Sequence, residues 1–246
     1  MHDMSQPVVV PLPPDHPCAN CRARPASFCR KLHADTLTDL RAMGKLISLN
    51  AGQPLFFEGD AVKRVFMVAE GALKLYALLG DGRRQVTGFM FPGDFLGISI
   101  EDEHAFSAEA LDHVELWSFT RGHFSDFSQR HPQVERELYH LAAHELAAAQ
   151  QQMVLLGRKN AAERLASFLL MLACRHERLS GHPQDIVPLP MSRLDIADYL
   201  GLTKETVSRM IAFLRDKRLI RLASQNRVEI VDRDGLSDLA AGFGEE

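Results

Sequence analysis

With 246 residues, 46% of them apolar and 24% charged, the chain is long enough for one large or two medium cores. That composition excludes disordered, collagen-like and rod-like classes, and no apolar run reaches the roughly eighteen residues of a membrane span. A net charge of −4 excludes a uniformly basic nucleic-acid binder. Residues 191–223, however, carry seven Lys/Arg against four Asp/Glu, a local +3 that leaves −7 elsewhere.

Residues 1–35 read as a tail and a cysteine segment. The start, "MHDMSQPVVVPLPPDHP", lacks a basic leader and a long apolar core. Its prolines predict a flexible, partly polyproline-like tail and not a signal peptide. The expected location is therefore cytoplasmic, where thiols stay reduced. Next comes "CANCRARPASFC", which places Cys18, Cys21 and Cys29 in a C-x2-C-x7-C pattern. Clustered reduced thiols read as metal-binding or redox-active, and sites of that kind usually take four ligands. His16 and His33 flank the segment and would complete a Cys3His zinc site, although the spacing is not a common zinc-finger one. Cys174, the fourth cysteine, lies in an apolar helical stretch and is expected to be a buried small hydrophobe.

Residues 36–130 read as a β-rich domain. "DTLTDLRAMGKLISL" opens it with a Thr/Asp start and leucines at helical spacing, which predicts a short helix. From about Leu46 to Phe119, apolar runs alternate with turn signals at Gly59-Asp60, Gly71, Gly80-Asp81-Gly82 and Gly93-Asp94, a spacing of about 8–12 residues that predicts a β-barrel-like fold.

Residues 131–157 predict one long helix, with Pro132 in its first turn and Gly157 near its end. Tyr139, Ala142, Leu146, Ala149 and Met153 follow alternating steps of three and four, a coiled-coil seam. Val134, Leu138 and Leu141 form a second stripe, suited to the β-rich domain. With no other helix of that length in the sequence, the seam predicts a homodimer.

Residues 158–246 predict a DNA-binding module. Leu165, Phe168, Leu169 and Leu172 form the core face of one amphipathic helix, and "SGHPQDIVPLP" reads as a connector. Ser192 and Asp195 form a capping box, Leu194, Ile196, Ala197 and Leu200 give apolar positions, and Gly201 breaks the helix before Thr203 caps the next. This is a helix-turn-helix. Val207, Ile211 and Leu214 are its expected buried face, while Glu205, Ser208 and Arg209 share another near the helix start, where base edges are read. Glutamate accepts from cytosine, arginine grips guanine, and Thr203 and Lys204 stand beside them. "RLIRLA" and "RVEIVD" predict a β-hairpin wing. No P-loop, G-x-G-x-x-G, H-E-x-x-H or nucleophile pair is present, so no enzyme is expected.

The order of parts resembles the CRP/FNR superfamily of bacterial transcription regulators over about residues 18–240, with "LGRKNAAERLASFL" and "DIADYLGLTKETVSR" closest to its FNR/FixK branch, the FnrN/FnrL-like subset included. The resemblance implies an α+β fold: an N-terminal cyclic-nucleotide-binding-like β-roll, a long dimerisation helix and a C-terminal winged helix-turn-helix. It further implies double-stranded DNA with TTGAT-type inverted repeats as target, RNA polymerase as partner (exposed loops such as "EDEHAF" being candidates), and activation under low oxygen. The family's phosphate-pocket arginine is missing: "GIS" at 97–99 and "FSA" at Phe106-Ser107-Ala108 stand in its motif, so no cyclic nucleotide is expected. Cys18, Cys21 and Cys29 match three ligands of an oxygen-labile [4Fe–4S] cluster. Where relatives carry the fourth cysteine this chain has Glu115 or Trp117, leaving Asp112, His113 or Glu115 as candidate donors. The alternative is a cluster-free, FixK-like regulator governed by its abundance or by thiol oxidation.

Overall fold

The structure is a computed structural model and describes residues 9–98, 101–182 and 184–243. The first eight residues of the expected tail, and Ser99 of the phosphate-pocket motif, lie outside these. Two units divide the chain: residues up to Leu75 with Phe89–Ala143, and Tyr76–Gly88 with His144 onward.

In the first unit a single 3-10 turn, Phe28–Lys31, follows the first cysteines. Helix α1 (Ala34–Met43) stops before Gly44, and the residues after it form strand β1 (Lys45–Leu49). The leucine spacing of "DTLTDLRAMGKLISL" therefore serves a helix first and a strand after it. Seven more strands follow: β2 (Pro54–Phe56), β3 (Arg64–Glu70), β4 (Leu73–Leu78), β5 (Arg84–Met90), β6 (Phe95–Leu96), β7 (Ser107–Ala110) and β8 (Val114–Thr120), of which the end of β4 and most of β5 fall within the second unit. They form two four-stranded sheets, ordered β1-β8-β3-β6 and β2-β7-β4-β5. Phe66, Val68, Leu73, Val114 and Leu116 fill one core cluster of this unit. Burying each such side chain contributes about 1.5–3 kcal/mol before entropy.

Helix α2 (Arg121–Arg130) was not expected. Its sequence, "RGHFSDFSQR", is polar and offers only Phe124 and Phe127 as an apolar pair, so its helicity depends on their burial. Helix α3 (Pro132–Arg158) follows at 27 residues, close to the expected span. Its start seals a second cluster in which Phe28, Cys29 and Leu32 meet Leu37, Met67, Phe119, Phe127 and Val134. Leu138 and Leu141 pack against the same cluster, so the second stripe of the helix meets the β-rich unit as its spacing predicts.

The second unit continues with α4 (Ala161–Ser180), β9 (Ile186–Pro188), α5 (Arg193–Leu200), α6 (Lys204–Asp216), β10 (Ile220–Ser224), β11 (Arg227–Ile230) and α7 (Arg233–Ala241). Strands β10 and β11 make the expected hairpin wing, and the supposed connector supplies a third strand, β9, beside β11. Its prolines concealed that strand, since Pro188 donates no ladder bond and sits at the strand end. Leu165, Phe168, Leu169 and Leu172 are buried as expected. Cys174 corrects the expectation: it is exposed. Two residues beyond Leu172, it points about 200° round the helix from that core position.

One backbone position shows how tightly the roll closes. Gly71 joins β3 to β4 at φ +81°, and a Cβ there would stand 2.2 Å from His113 O and 2.7 Å from Asp112 Oδ1. Asp112 accepts from Ala72 N at 2.8 Å and fastens this turn. Gly71→Ala is expected to destabilise the first unit by about 2 kcal/mol or more, read as a lower midpoint in urea monitored by Trp117 fluorescence.

Candidate nucleic-acid interface and sulfur-lined cavity

The reading head is built from its caps. Ser192 Oγ accepts from Asp195 N at 3.1 Å while Asp195 Oδ2 accepts from Ser192 N at 3.0 Å, which starts α5 with both halves of a capping box. Gly201 ends α5 in the left-handed region at φ +62°. Thr203 Oγ1 then accepts from Thr206 N at 3.1 Å and starts α6. Val207, Ile211 and Leu214 are buried, whereas Leu194, expected among the apolar positions of α5, is half exposed.

Thr203, Lys204, Glu205, Ser208 and Arg209 are all exposed at the start of α6. Ser208 Oγ donates to Lys204 O at 3.0 Å, and Arg209 donates to Thr206 Oγ1 at 3.2 Å. Among the described residues Arg209 makes no ion pair with Glu205, so both side chains keep their charge available to a ligand. Positive charge, exposed donors and a helix N-terminus together suit a phosphate-lined groove.

Behind the head, Arg164 donates to three backbone carbonyls: Leu156 O at 2.9 Å, Lys159 O at 2.8 Å and Leu200 O at 2.8 Å. Gln152 Nε2 donates to Tyr199 O at 3.0 Å. The end of α5 is thereby bonded to the end of α3. No spacing rule singles out Arg164, because its role lies in which carbonyls come together around it. Along α3 the seam residues Tyr139, Ala142, Leu146, Ala149 and Met153 are exposed, Tyr139 by 74%, Leu146 by 61% and Met153 by 67%. That is an apolar stripe facing outward.

Cys18, Cys21 and Cys29 line one cavity of about 40 Å³, together with Arg24, Arg41, Met67, Trp117 and Phe119. Cys18 and Cys21 are half-buried and Cys29 is buried. Burial pushes the Cys29 thiol up to about 12, and it also raises that of Cys18, with Cys21 adding to the rise and Arg41 opposing it. Cys29 Sγ lies 3.8 Å from Met67 Sδ. Arg41 stacks over Trp117 with its guanidinium carbon 4.8 Å from the ring centroid.

The fourth-ligand candidates lie elsewhere. Asp112 and His113 close the turn at Gly71, and Glu115 sits opposite Ser48 and Glu70 in the sheet. None of the three lines the cavity; Trp117 and Met67 do. Glu115 shares a face of β8 with Trp117, and what keeps it from the cavity is its distance along the strand, two residues or about 7 Å away. His16 has both ring nitrogens engaged, Nδ1 accepting from Cys18 N at 3.1 Å and Nε2 reaching Ala34 O at 3.2 Å. Among the described residues no three His, Cys, Asp or Glu side chains stand at metal-binding distances.

Two observations nevertheless suit an anionic, sulfur-bound group. Three thiols face one cavity, and Arg24 lines it with a buried Nε that has no hydrogen-bond partner among the described residues. A buried unsatisfied donor is costly, and a thiolate or sulfide would satisfy it. The three thiols are the right kind of donor for a sulfur-bound group, but they are not gathered at metal-binding distances, and Trp117 and Met67 complete the lining.

Sequence residues 163–239 match the Crp-like helix-turn-helix domain, and residues 46–131 match the cyclic nucleotide-binding domain. The nitrogen fixation regulation protein FixK of Bradyrhizobium diazoefficiens is 41% identical over 97% of this chain and 100% of its own. The transcriptional activatory protein AadR of Rhodopseudomonas palustris is 38% identical over 90% of this chain and 92% of its own. A solved structure of FixK2 from Bradyrhizobium japonicum superposes with a TM-score of 0.74 at 35% identity, covering 80% of this chain and 96% of that one.

Thiol chemistry gives a direct check. Alkylation needs the thiolate, so at pH 8 Cys29 is expected to react at least about 100-fold more slowly than the half-exposed Cys21. Its rate should climb about tenfold per pH unit while its thiol stays largely protonated. Burial also sets a stability window: as pH rises from 9.0 towards about 12 the unfolded chain loses this proton before the folded one does, so stability falls there. Mass-spectrometric peptide mapping with iodoacetamide measures the order.

Proposed function

Since the chain belongs to the FixK branch of the CRP/FNR superfamily, whose members are DNA-binding transcription regulators and not enzymes, we propose that it binds TTGAT-type inverted repeats as a homodimer and reports the state of its N-terminal thiols. The observation that carries the DNA half is the capped α6, which presents Glu205, Ser208 and Arg209 outward above a buried stripe. In the major groove Arg209 supplies a fork for guanine and Glu205 an acceptor for cytosine N4–H. Thr203 and Lys204 at the helix start bond phosphate and set register without reading sequence.

Pairing follows from α3. A second copy covers Tyr139, Ala142, Leu146, Ala149 and Met153, and the two heads then address half-sites one DNA turn apart. The centre of that seam carries no like charge, so the dimer needs less help from the cysteine segment than a seam with a repulsive aspartate would. RNA polymerase is the expected partner of the activated complex, through the exposed loop 101–106.

Cys18, Cys21 and Cys29 are the residues that hold an iron–sulfur cluster in this reading. Such a group supplies oxygen-labile redox chemistry when bound. Arg24 and Arg41 offset negative charge on the sulfurs, and the apolar wall of Leu37, Leu40 and Phe119 limits water. Signals pass along the chain itself: Lys31 Nζ pairs with Glu137 at 2.7 Å, joining the cysteine segment to α3. A cyclic nucleotide is not proposed as the signal. Phe106 offers no guanidinium to a phosphate, and Ser107 Oγ already accepts from Glu58 N at 3.0 Å.

The second reading is a cluster-free regulator governed by thiol oxidation or abundance. It is favoured by one feature: Trp117 and Met67 line the cavity beside the three thiols, and Asp112, His113 and Glu115 do not.

Three measurements test these statements. Arg209→Ala is expected to weaken operator binding about 5–100-fold and to relax preference at one base pair of each half-site. Unchanged affinity in fluorescence anisotropy rejects this reading of α6. Leu146→Glu should convert the dimer to monomer in sedimentation at micromolar concentration. Anaerobically purified protein should hold iron and sulfide that are lost in air, with a visible absorption band lost in parallel. Iron-free protein with full operator affinity leaves the second reading standing.

A further inference from the structure

The hairpin between β4 and β5 falls in the same compact unit as the reading head: Tyr76–Gly88 groups with the residues from His144 onward. Its turn is stiff. Leu79 N donates to Arg83 O at 2.8 Å, and Asp81 Oδ1 accepts from Arg83 N at 3.0 Å. Just beyond the turn, Arg84 reaches α5 with a fork. Its Nε donates to Asp198 Oδ2 at 2.8 Å, and its Nη2 donates to Asp195 Oδ1, also at 2.8 Å. Beside it, Gln85 Nε2 donates to Asp198 O at 2.6 Å. Tyr76 lies under the guanidinium, with its ring centroid 5.7 Å away.

Asp195 is a buried carboxylate, 5% exposed, whose Oδ2 already serves the capping box that starts α5. Its other oxygen faces Arg84. The hairpin therefore completes the charge balance of the residue that nucleates the first helix of the reading head. Buried ion pairs of this kind often contribute little net stability, since desolvation offsets their attraction; their best-attested use is to select one register. A fork that engages two carboxylates one helical turn apart is directional in a way a single ammonium is not.

We propose that Arg84 is a positioning residue for operator recognition: with Asp195 and Asp198 it forms a second tether that fixes the orientation of the reading head. The first tether is the Arg164 cap on the end of α5, close to the linker at Lys159. A body held at one end keeps a rotation about that end, whereas one held at both ends of α5 keeps none. Arg164 and Gln152 hold the last carbonyls of α5, and Arg84 holds its first turns. Orientation matters because two heads on one duplex must meet half-sites at a set spacing. The inference rests on the paired-head reading above and adds to it the device that sets head geometry.

The test uses the full chain and two duplexes, one with a TTGAT-type inverted repeat and one with its half-sites moved two base pairs further apart. That insertion turns one half-site by about 70° relative to the other. Wild type is expected to discriminate strongly in fluorescence anisotropy. Arg84→Ala and Asp198→Asn should each weaken binding to the correct duplex and reduce the discrimination ratio about fivefold or more. The double variant should lose no more than Arg84→Ala alone, because that substitution already removes the bridge to Asp198. Arg84→Lys should restore only part of the ratio. Asp198→Asn leaves the Asp195 capping box intact, so it decides the matter if Arg84→Ala proves too unstable in a thermal melt. Equal loss on both duplexes, additive losses, or an unchanged ratio overturns the proposal while sparing the dimer. A wild type indifferent to spacing overturns the paired-head reading and this inference with it.

Discussion

Helices leave their last carbonyls without internal partners, and in this protein one guanidinium answers for two helix ends at once. Arg164 bonds Leu156 O near the end of α3, Lys159 O in the linker and Leu200 O at the end of α5. A cation at helix C-termini is also favoured by the macrodipoles that converge there. Turning the reading head away from the long helix would uncap both ends together. The linker between α3 and α4 is short, yet its freedom is removed by hydrogen bonds and not by length. A lysine has one nitrogen and no planar fork, so it does not substitute for this geometry.

The same economy governs the cysteine segment. Cys29 is at once a candidate ligand and a member of the core, in one cluster with Met67, Phe119 and Val134. Its thiol is held neutral by burial, so any chemistry that requires the thiolate must work against packing. Val134 belongs to the first turn of α3, and Lys31 pairs with Glu137 one turn later. The cysteine segment is thus packed against, and ion-paired to, the start of the helix whose exposed stripe is suited to a second copy. Around the cavity, Arg24 and Arg41 supply positive charge from within the segment and from α1. Those residues are separated in sequence from the thiols they face, or hidden between them, and no spacing motif marks them.

What could be read directly follows from periodicity and local chemistry. The long helix, its seam, the capping box at Ser192, the glycine break at 201 and the buried stripe of α6 all depend on neighbours within a few residues, so the chain displays them openly. Helix α2 was not legible, because two phenylalanines three residues apart carry almost no periodic signal in a polar stretch. Strand β9 was hidden for the opposite reason: prolines suggested a linker, and only pairing with β11 makes it a strand. Cys174 was misjudged from the apolar character of its helix as a whole, when its angle around the helix decides exposure.

By itself, the order of residues determined most of the helices and strands (α2 and β9 excepted), where the reading head lies, and which three thiols are grouped, since those properties are short-range. Tertiary structure alone decided which side chains share a cavity with those thiols, that Asp112, His113 and Glu115 do not, and that Arg84 and Arg164 both hold α5. Contacts of that kind join residues from about 36 to more than 110 positions apart. Their geometry is set by which face of a strand or helix turns inward once the core closes, and no local pattern records that.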